Sequence, residues 1–180
     1  YFTSCFLIGF LATLFIMRSS MKHAHLSADH DLSGPQKFHA RPVPRVGGAG
    51  VMVAIMAGAV IAQLTDSPVA PQLWLLLACS LPAFLAGITE DLTKSVSPLR
   101  RLLTTAVSAG LGIWLLGAVV SRTDIPGIDQ LVQWVPFSIL LTVFAMAGVA
   151  NAVNIIDGFN GLASVVSICM LLSLGYVALQ

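Results

Sequence analysis

Charge is what this sequence has least of. Only 9% of its 180 residues are Asp, Glu, Lys or Arg, against about 25% in an average soluble domain. That scarcity, with 57% hydrophobic residues, excludes an ordinary water-soluble core. The net charge of +1 gives no reason to expect a nucleic-acid partner. Cysteine is scarce too. Cys5, Cys79 and Cys169 lie inside apolar runs with no CxxC spacing, so they read as packing residues, not as a disulfide frame or zinc site. Short segments of alternating polarity, the signature of barrel strands, are missing, as are internal repeats and low-complexity tracts. The apolar first segment has neither a basic leader nor a small-residue cleavage pattern and is read as a span.

What remains is a series of long apolar runs at about 1–17, 47–64, 71–88, 102–120, 132–150 and 162–179. A run of about 20 apolar residues crosses a hydrocarbon core about 30 Å thick. Without water each run must satisfy its own backbone as a helix. The expected fold is all-α: a single polytopic transmembrane helical bundle over residues 1–180, with about six spans. The chain starts at Tyr1 and its last apolar run reaches Gln180, so a truncated part of a larger protein is expected.

The connections differ in charge. Counting spans puts 18–46, 89–101 and 151–161 on one side, with Arg18, Lys22, Lys37, Arg41, Arg45, Lys94, Arg100 and Arg101. The connections 65–70 and 121–131, short and turn-like, hold only Arg122. Basic residues stay on the cytoplasmic side, so the first set is expected to be cytoplasmic.

Those three connections also hold the unusual polar residues. The first reads DLSGPQKFHARPVPRVGGAG. Its prolines stiffen it. His39, Arg41 and Arg45 precede paired glycines at the start of a helix, an arrangement suited to an anion, or simply to lipid headgroups. The upstream KHAHLSADHD matches no zinc spacing and reads as a solvated linker. The second, GITEDLTKSVSPLRR, places Glu90 beside Asp91. Adjacent acids raise each other's proton affinity unless a cation shares them. They suit a hard divalent ion with a substrate phosphate or proton transfer. A helix-end pair balanced by Lys94, Arg100 and Arg101 is the alternative. The third, NAVNIIDGFNGLA, spaces Asn151, Asn154 and Asp157 at intervals of three, roughly along one helix face. Their oxygens can hold a cation and their amides can read a nucleobase; interhelical hydrogen bonds are the alternative. Phosphate-binding cations, acids for a metal and amides for specificity, all on one face of a membrane, suit an enzyme that joins a soluble phosphate compound to a lipid phosphate. A transporter or channel, the rival class, would carry its ionisable residues along a path at mid-membrane.

In that order and at those separations, GPQKFHARPVPRVGG, GITEDLTKSVSPLRRLL and NAVNIIDGFNGLA resemble the polyprenyl-phosphate N-acetylhexosamine-1-phosphate transferases (glycosyltransferase family 4). The resemblance covers nearly the whole chain. It implies transfer of a sugar-1-phosphate, with GlcNAc as the default sugar, from a UDP-N-acetylhexosamine to a polyprenyl phosphate lipid. UMP is released and cell-envelope polysaccharide synthesis begins. It implies Mg²⁺ and a multi-pass protein of the bacterial inner membrane with its active face cytoplasmic. It places the catalytic acids at Glu90 and Asp91, a metal or diphosphate contact at Asn154, and nucleotide-sugar contacts at Asp157, Asn160, His39, Arg41 and Arg45. Glu90 stands where the family usually has Asp, and Asn160 replaces a second acid. The family's later Gly-Asp motif and His-rich loop do not occur before Gln180, so the chain by itself is expected to be inactive.

Overall fold

The structure is a computed structural model that describes residues 2–22, 47–93, 97–156 and 161–180. All of the regular structure among these residues is helical. The helices are α1 (Phe2–Lys22), α2 (Gly47–Leu64), α3 (Ala70–Thr93), α4 (Pro98–Leu116), the short α5 (Ile128–Val132), α6 (Val135–Ile156) and α7 (Leu162–Ala178). Four of them, α2, α3, α4 and α6, are long and apolar enough to cross a membrane, and α1 and α7 contribute shorter apolar stretches. This is the expected all-helical bundle of about six spans. Neighbours in the chain pack together in the order α1, α2, α3, α4, α6, α7.

Its interior is built from small residues. Gly50, Ala59, Ala62, Ala109, Gly112, Ala147 and Ala163 are buried, whereas most large apolar side chains face outward. Lipid is as apolar as leucine, so helices gain by close backbone approach, not by hiding bulk. Gly50 shows the demand. A Cβ there would run into the Thr13 side chain of α1, and one at Gly9 would stand 2.8 Å from the Ala54 Cβ of α2. Cys5 lies against Gly58 and Cys79 is buried, as expected of packing residues. Cys169 is exposed; among the described helices α7 packs against α6 alone.

Pro82 sits inside α3, and the N–H of Ala83 is met by the hydroxyl of buried Ser108 from α4 at 3.0 Å. A proline removes one hydrogen bond and pushes its turn open; in lipid a neighbouring hydroxyl must supply what water cannot.

The helices do not end where the apolar runs end. α1, α3 and α6 continue past the expected limits of 17, 88 and 150 to Lys22, Thr93 and Ile156, and α4 starts at Pro98, before the expected 102. Backbone hydrogen bonding does not stop where hydropathy falls. The start of α4 is set by Ser97, whose side chain accepts from the N–H of Arg100 at 3.3 Å, with Pro98 next. Its end is set by Gly117 at φ 64°, a left-handed cap, four residues before the expected span end at 120.

The connection from α4 to α6 also departs from the short turn expected. After Gly117 the chain runs back along α6. The Thr142 hydroxyl accepts from the N–H of Val120 at 2.9 Å, and the Ser138 hydroxyl donates to its carbonyl at 2.5 Å. Then α5 forms, tied by Asp129, which accepts from the Thr123 hydroxyl at 2.7 Å and the Thr123 N–H at 2.6 Å. These two bonds hold the Asp129 carboxyl below its ordinary value. A depressed folded value stabilises above the ordinary carboxylate range and is lost as pH falls through it. Acidification is therefore expected to lower the protection of the Thr123 amide against exchange, relative to the intrinsic rate at each pH, and Asp129→Asn to remove that acid dependence.

All three tryptophans, Trp74, Trp114 and Trp134, are exposed at this same end of the bundle. Such a belt marks a membrane–water interface.

Candidate functional site

At the opposite end, the second and third polar connections meet. The helical continuation of α3 puts Glu90 and Asp91 on its last turn, not in a loop. In the same way Asn151 and Asn154 lie on the last two turns of α6. Between them stands Arg101, on the first turn of α4. Its Nη1 donates to Glu90 Oε1 at 3.1 Å and to Oε2 at 3.4 Å. Its Nη2 donates to Asn151 Oδ1 at 3.3 Å. One guanidinium thus ties three helices together.

Helix dipoles do not account for these charges. An acid at a helix C-terminus and a cation at an N-terminus both oppose the macrodipole, at about 0.3–1 kcal/mol each. Glu90 and Arg101 stand at those disfavoured ends and offset each other. Depth gives a second reason for the pairing. At about 1.5 Å per residue, Glu90 is about 24 Å along α3 from Trp74, and Arg101 about 20 Å along α4 from Trp114. Both spacings fall short of the ~30 Å hydrocarbon thickness. Charges at that level favour a partner, and each of these side chains keeps about a quarter of its surface exposed, at 26% and 25%, so the pairing itself contributes little to folding.

The pairing fixes the orientation of Asn151. An arginine only donates, so the amide oxygen must face it. The Asn151 NH₂ is then the group left to donate to a ligand. Asn154 is exposed, nearly one turn nearer the helix end. Glu90 is held by Arg101, and Asp91, half-buried on the same turn, has a different direction around the helix.

Among the described residues there is no group of three His, Cys, Asp or Glu that could hold a metal ion. The donors at this end are all hard oxygens, from carboxylates and amides. That set suits Mg²⁺, which commonly takes one or two protein carboxylates and completes its shell with water and phosphate. Asp157, Asn160, His39, Arg41 and Arg45, expected to contact the nucleotide sugar, lie outside the described residues. So do Lys94 and the histidine-rich stretch after Lys22. Arg101 was legible in the sequence only as a balancing charge; no spacing rule links it to Asn151, fifty positions away.

Sequence comparison finds relatives of known name. A protein of Saccharolobus solfataricus named for UDP-N-acetylglucosamine–dolichyl-phosphate N-acetylglucosaminephosphotransferase activity is 28% identical over 177 residues, covering 97% of this chain and 52% of the relative. A Bacillus subtilis protein named for undecaprenyl-phosphate N-acetylglucosaminyl 1-phosphate transferase activity is 24% identical over 181 aligned positions, covering 97% of the chain and 48% of the relative. A phospho-N-acetylmuramoyl-pentapeptide-transferase of Chlorobium phaeobacteroides is 28% identical over 155 residues, covering 78% and 41%. The chain spans about half the length of these curated relatives. No solved structure matches it. The model of one family, glycosyl transferase family 4, matches residues 73–180, which takes in α4, α6, α7 and nearly all of α3 with their polar ends. The chain belongs to glycosyl transferase family 4.

Proposed function

We propose that this chain carries part of the active site of a membrane transferase that moves a sugar-1-phosphate from a UDP-N-acetylhexosamine to a polyprenyl phosphate. One observation supports this reading above the others: the Glu90–Arg101–Asn151 contact gathers two separate polar connections at one end of the bundle. A transporter would instead string its ionisable groups through mid-membrane; α2 and α6 carry none. The relatives' names support the substrates.

In the proposed reaction an oxygen of the lipid phosphate attacks the sugar-bearing phosphorus of the nucleotide sugar. A new P–O bond forms, the bond to the uridylyl phosphate breaks, and UMP leaves with the electron pair. Asp91 accepts the proton of the acceptor phosphate and orients that phosphate. Asn154, through its amide oxygen, is the residue that would hold Mg²⁺, with phosphate oxygens and water completing the shell. When bound, Mg²⁺ offsets the charge on the diphosphate oxygens. Asn151 presents its NH₂ to a substrate oxygen. Asp157, Asn160, His39, Arg41 and Arg45 are assigned to the nucleotide sugar, by resemblance. The basic connections are assigned to the cytoplasmic face of a bacterial inner membrane, where nucleotide sugars are made.

The test is UMP release by the full-length protein in lipid vesicles with UDP-GlcNAc and undecaprenyl phosphate. Release that needs both substrates is expected. Release of free sugar phosphate without the lipid, or no turnover with any UDP-N-acetylhexosamine, would overturn the reading.

A further inference from the structure

We propose that Arg101 is a positioning residue: it locks the acid-bearing end of α3 to the amide-bearing end of α6, and so sets Asp91 and Asn154 in register for the transfer. The inference rests on the function proposed above, but its geometry does not. The guanidinium donates through Nη1 to both oxygens of Glu90, at 3.1 and 3.4 Å, and through Nη2 to Asn151 at 3.3 Å. A planar fork can serve two partners at a fixed angle, whereas an ammonium is a single point charge on a flexible stem. Glu90 then has a role of its own. Its carboxylate is the handle by which α3 is held, and Asp91 is carried on the same last turn.

Stability is not what the contact supplies. Both side chains are a quarter exposed, at 25% and 26%, and partly exposed ion pairs contribute little to folding. The α3–α4 and α4–α6 interfaces do not depend on this contact: both helix pairs pack along their lengths, and the first also carries the Ala83–Ser108 hydrogen bond. Positioning, by contrast, is sensitive: a shift of about 1 Å between reacting groups can cost about 10²-fold in rate.

The experiment compares the wild-type full-length protein, Arg101→Gln and Arg101→Lys in lipid nanodiscs. For Arg101→Gln, kcat for UMP release is expected to fall by about 10- to 100-fold. KM for the nucleotide sugar and the thermal midpoint should stay near wild type. Arg101→Lys is expected to fall between the two. By hydrogen-exchange mass spectrometry, Arg101→Gln should speed exchange in both 88–93 and 150–156 and leave 47–64 unchanged. Retained kcat overturns the proposal. So does a rise in KM alone, which would make Arg101 a substrate contact, or a joint fall of kcat and thermal midpoint, which would make it mere scaffold. Faster exchange confined to the start of α4 also overturns it. A wild-type protein that releases no UMP fails the functional reading instead, and the exchange comparison still decides whether Arg101 couples the two helix ends.

Discussion

Asp91→Asn is expected to lower UMP release by about 10²–10⁴-fold, the range for removing a positioned acid–base group. The substitution keeps the shape of the side chain and removes its charge. It sits on the last turn of α3, where an acid opposes the helix dipole, so the dipole itself gives the helix no reason to lose stability. Membrane insertion and the thermal midpoint are therefore expected to match wild type while turnover disappears. Asp91→Glu should recover part of the activity, because it restores the charge about one methylene further out. The measurement is turnover against thermal midpoint in the full-length protein. Activity within threefold of wild type would remove Asp91 from the mechanism and leave Glu90 as the acid to examine.

The second large effect lies at the other end of the molecule. Combining Ser138→Ala with Thr142→Val is expected to destabilise the bundle by about 2–5 kcal/mol, since each buried backbone group left unpaired costs about 1–3 kcal/mol. The two hydroxyls are buried and serve both backbone groups of Val120. The Thr142 hydroxyl in turn donates to the carbonyl of Ser138 at 2.7 Å, so the three groups form a closed set. Thr142 lies eight residues beyond Trp134, about 12 Å into the bundle by helical rise. Non-helical backbone at that depth survives only when protein, not lipid, surrounds it. Valine is nearly isosteric with threonine, so the loss reports the hydrogen bond and not a cavity. Thermal unfolding in a mild detergent measures it. Thr142→Ser, which keeps the hydroxyl, should stay close to wild type. A double variant as stable as wild type would mean that Val120 finds other partners.

Hydropathy made the architecture legible. A 19-residue apolar run such as 132–150 has one solution in lipid, a helix, and the lopsided placement of Arg and Lys pairs the connections by side. What hydropathy could not reveal was where each helix stops. Glu90, Asp91, Asn151 and Asn154 look like loop residues because they are polar, yet they ride on α3 and α6. The return of 117–120 onto α6 was invisible for the opposite reason: Val119 and Val120 are apolar and read as more span. In both places the backbone hydrogen-bond pattern, capped at Ser97 and Gly117, overrode side-chain polarity.

The residues proposed to carry the chemistry belong to the same division. From the linear order alone came the membrane bundle, the grouping of polar connections on one face and the candidate acids and amides, because lipid punishes any other placement of charge and backbone. Only the folded bundle decided which of those groups touch. Arg101 reaches Glu90 across one helix boundary and Asn151 across another, and a contact between helices depends on their rotation and depth, which packing between helices sets, as in the Ala83–Ser108 bond, and no local pattern encodes.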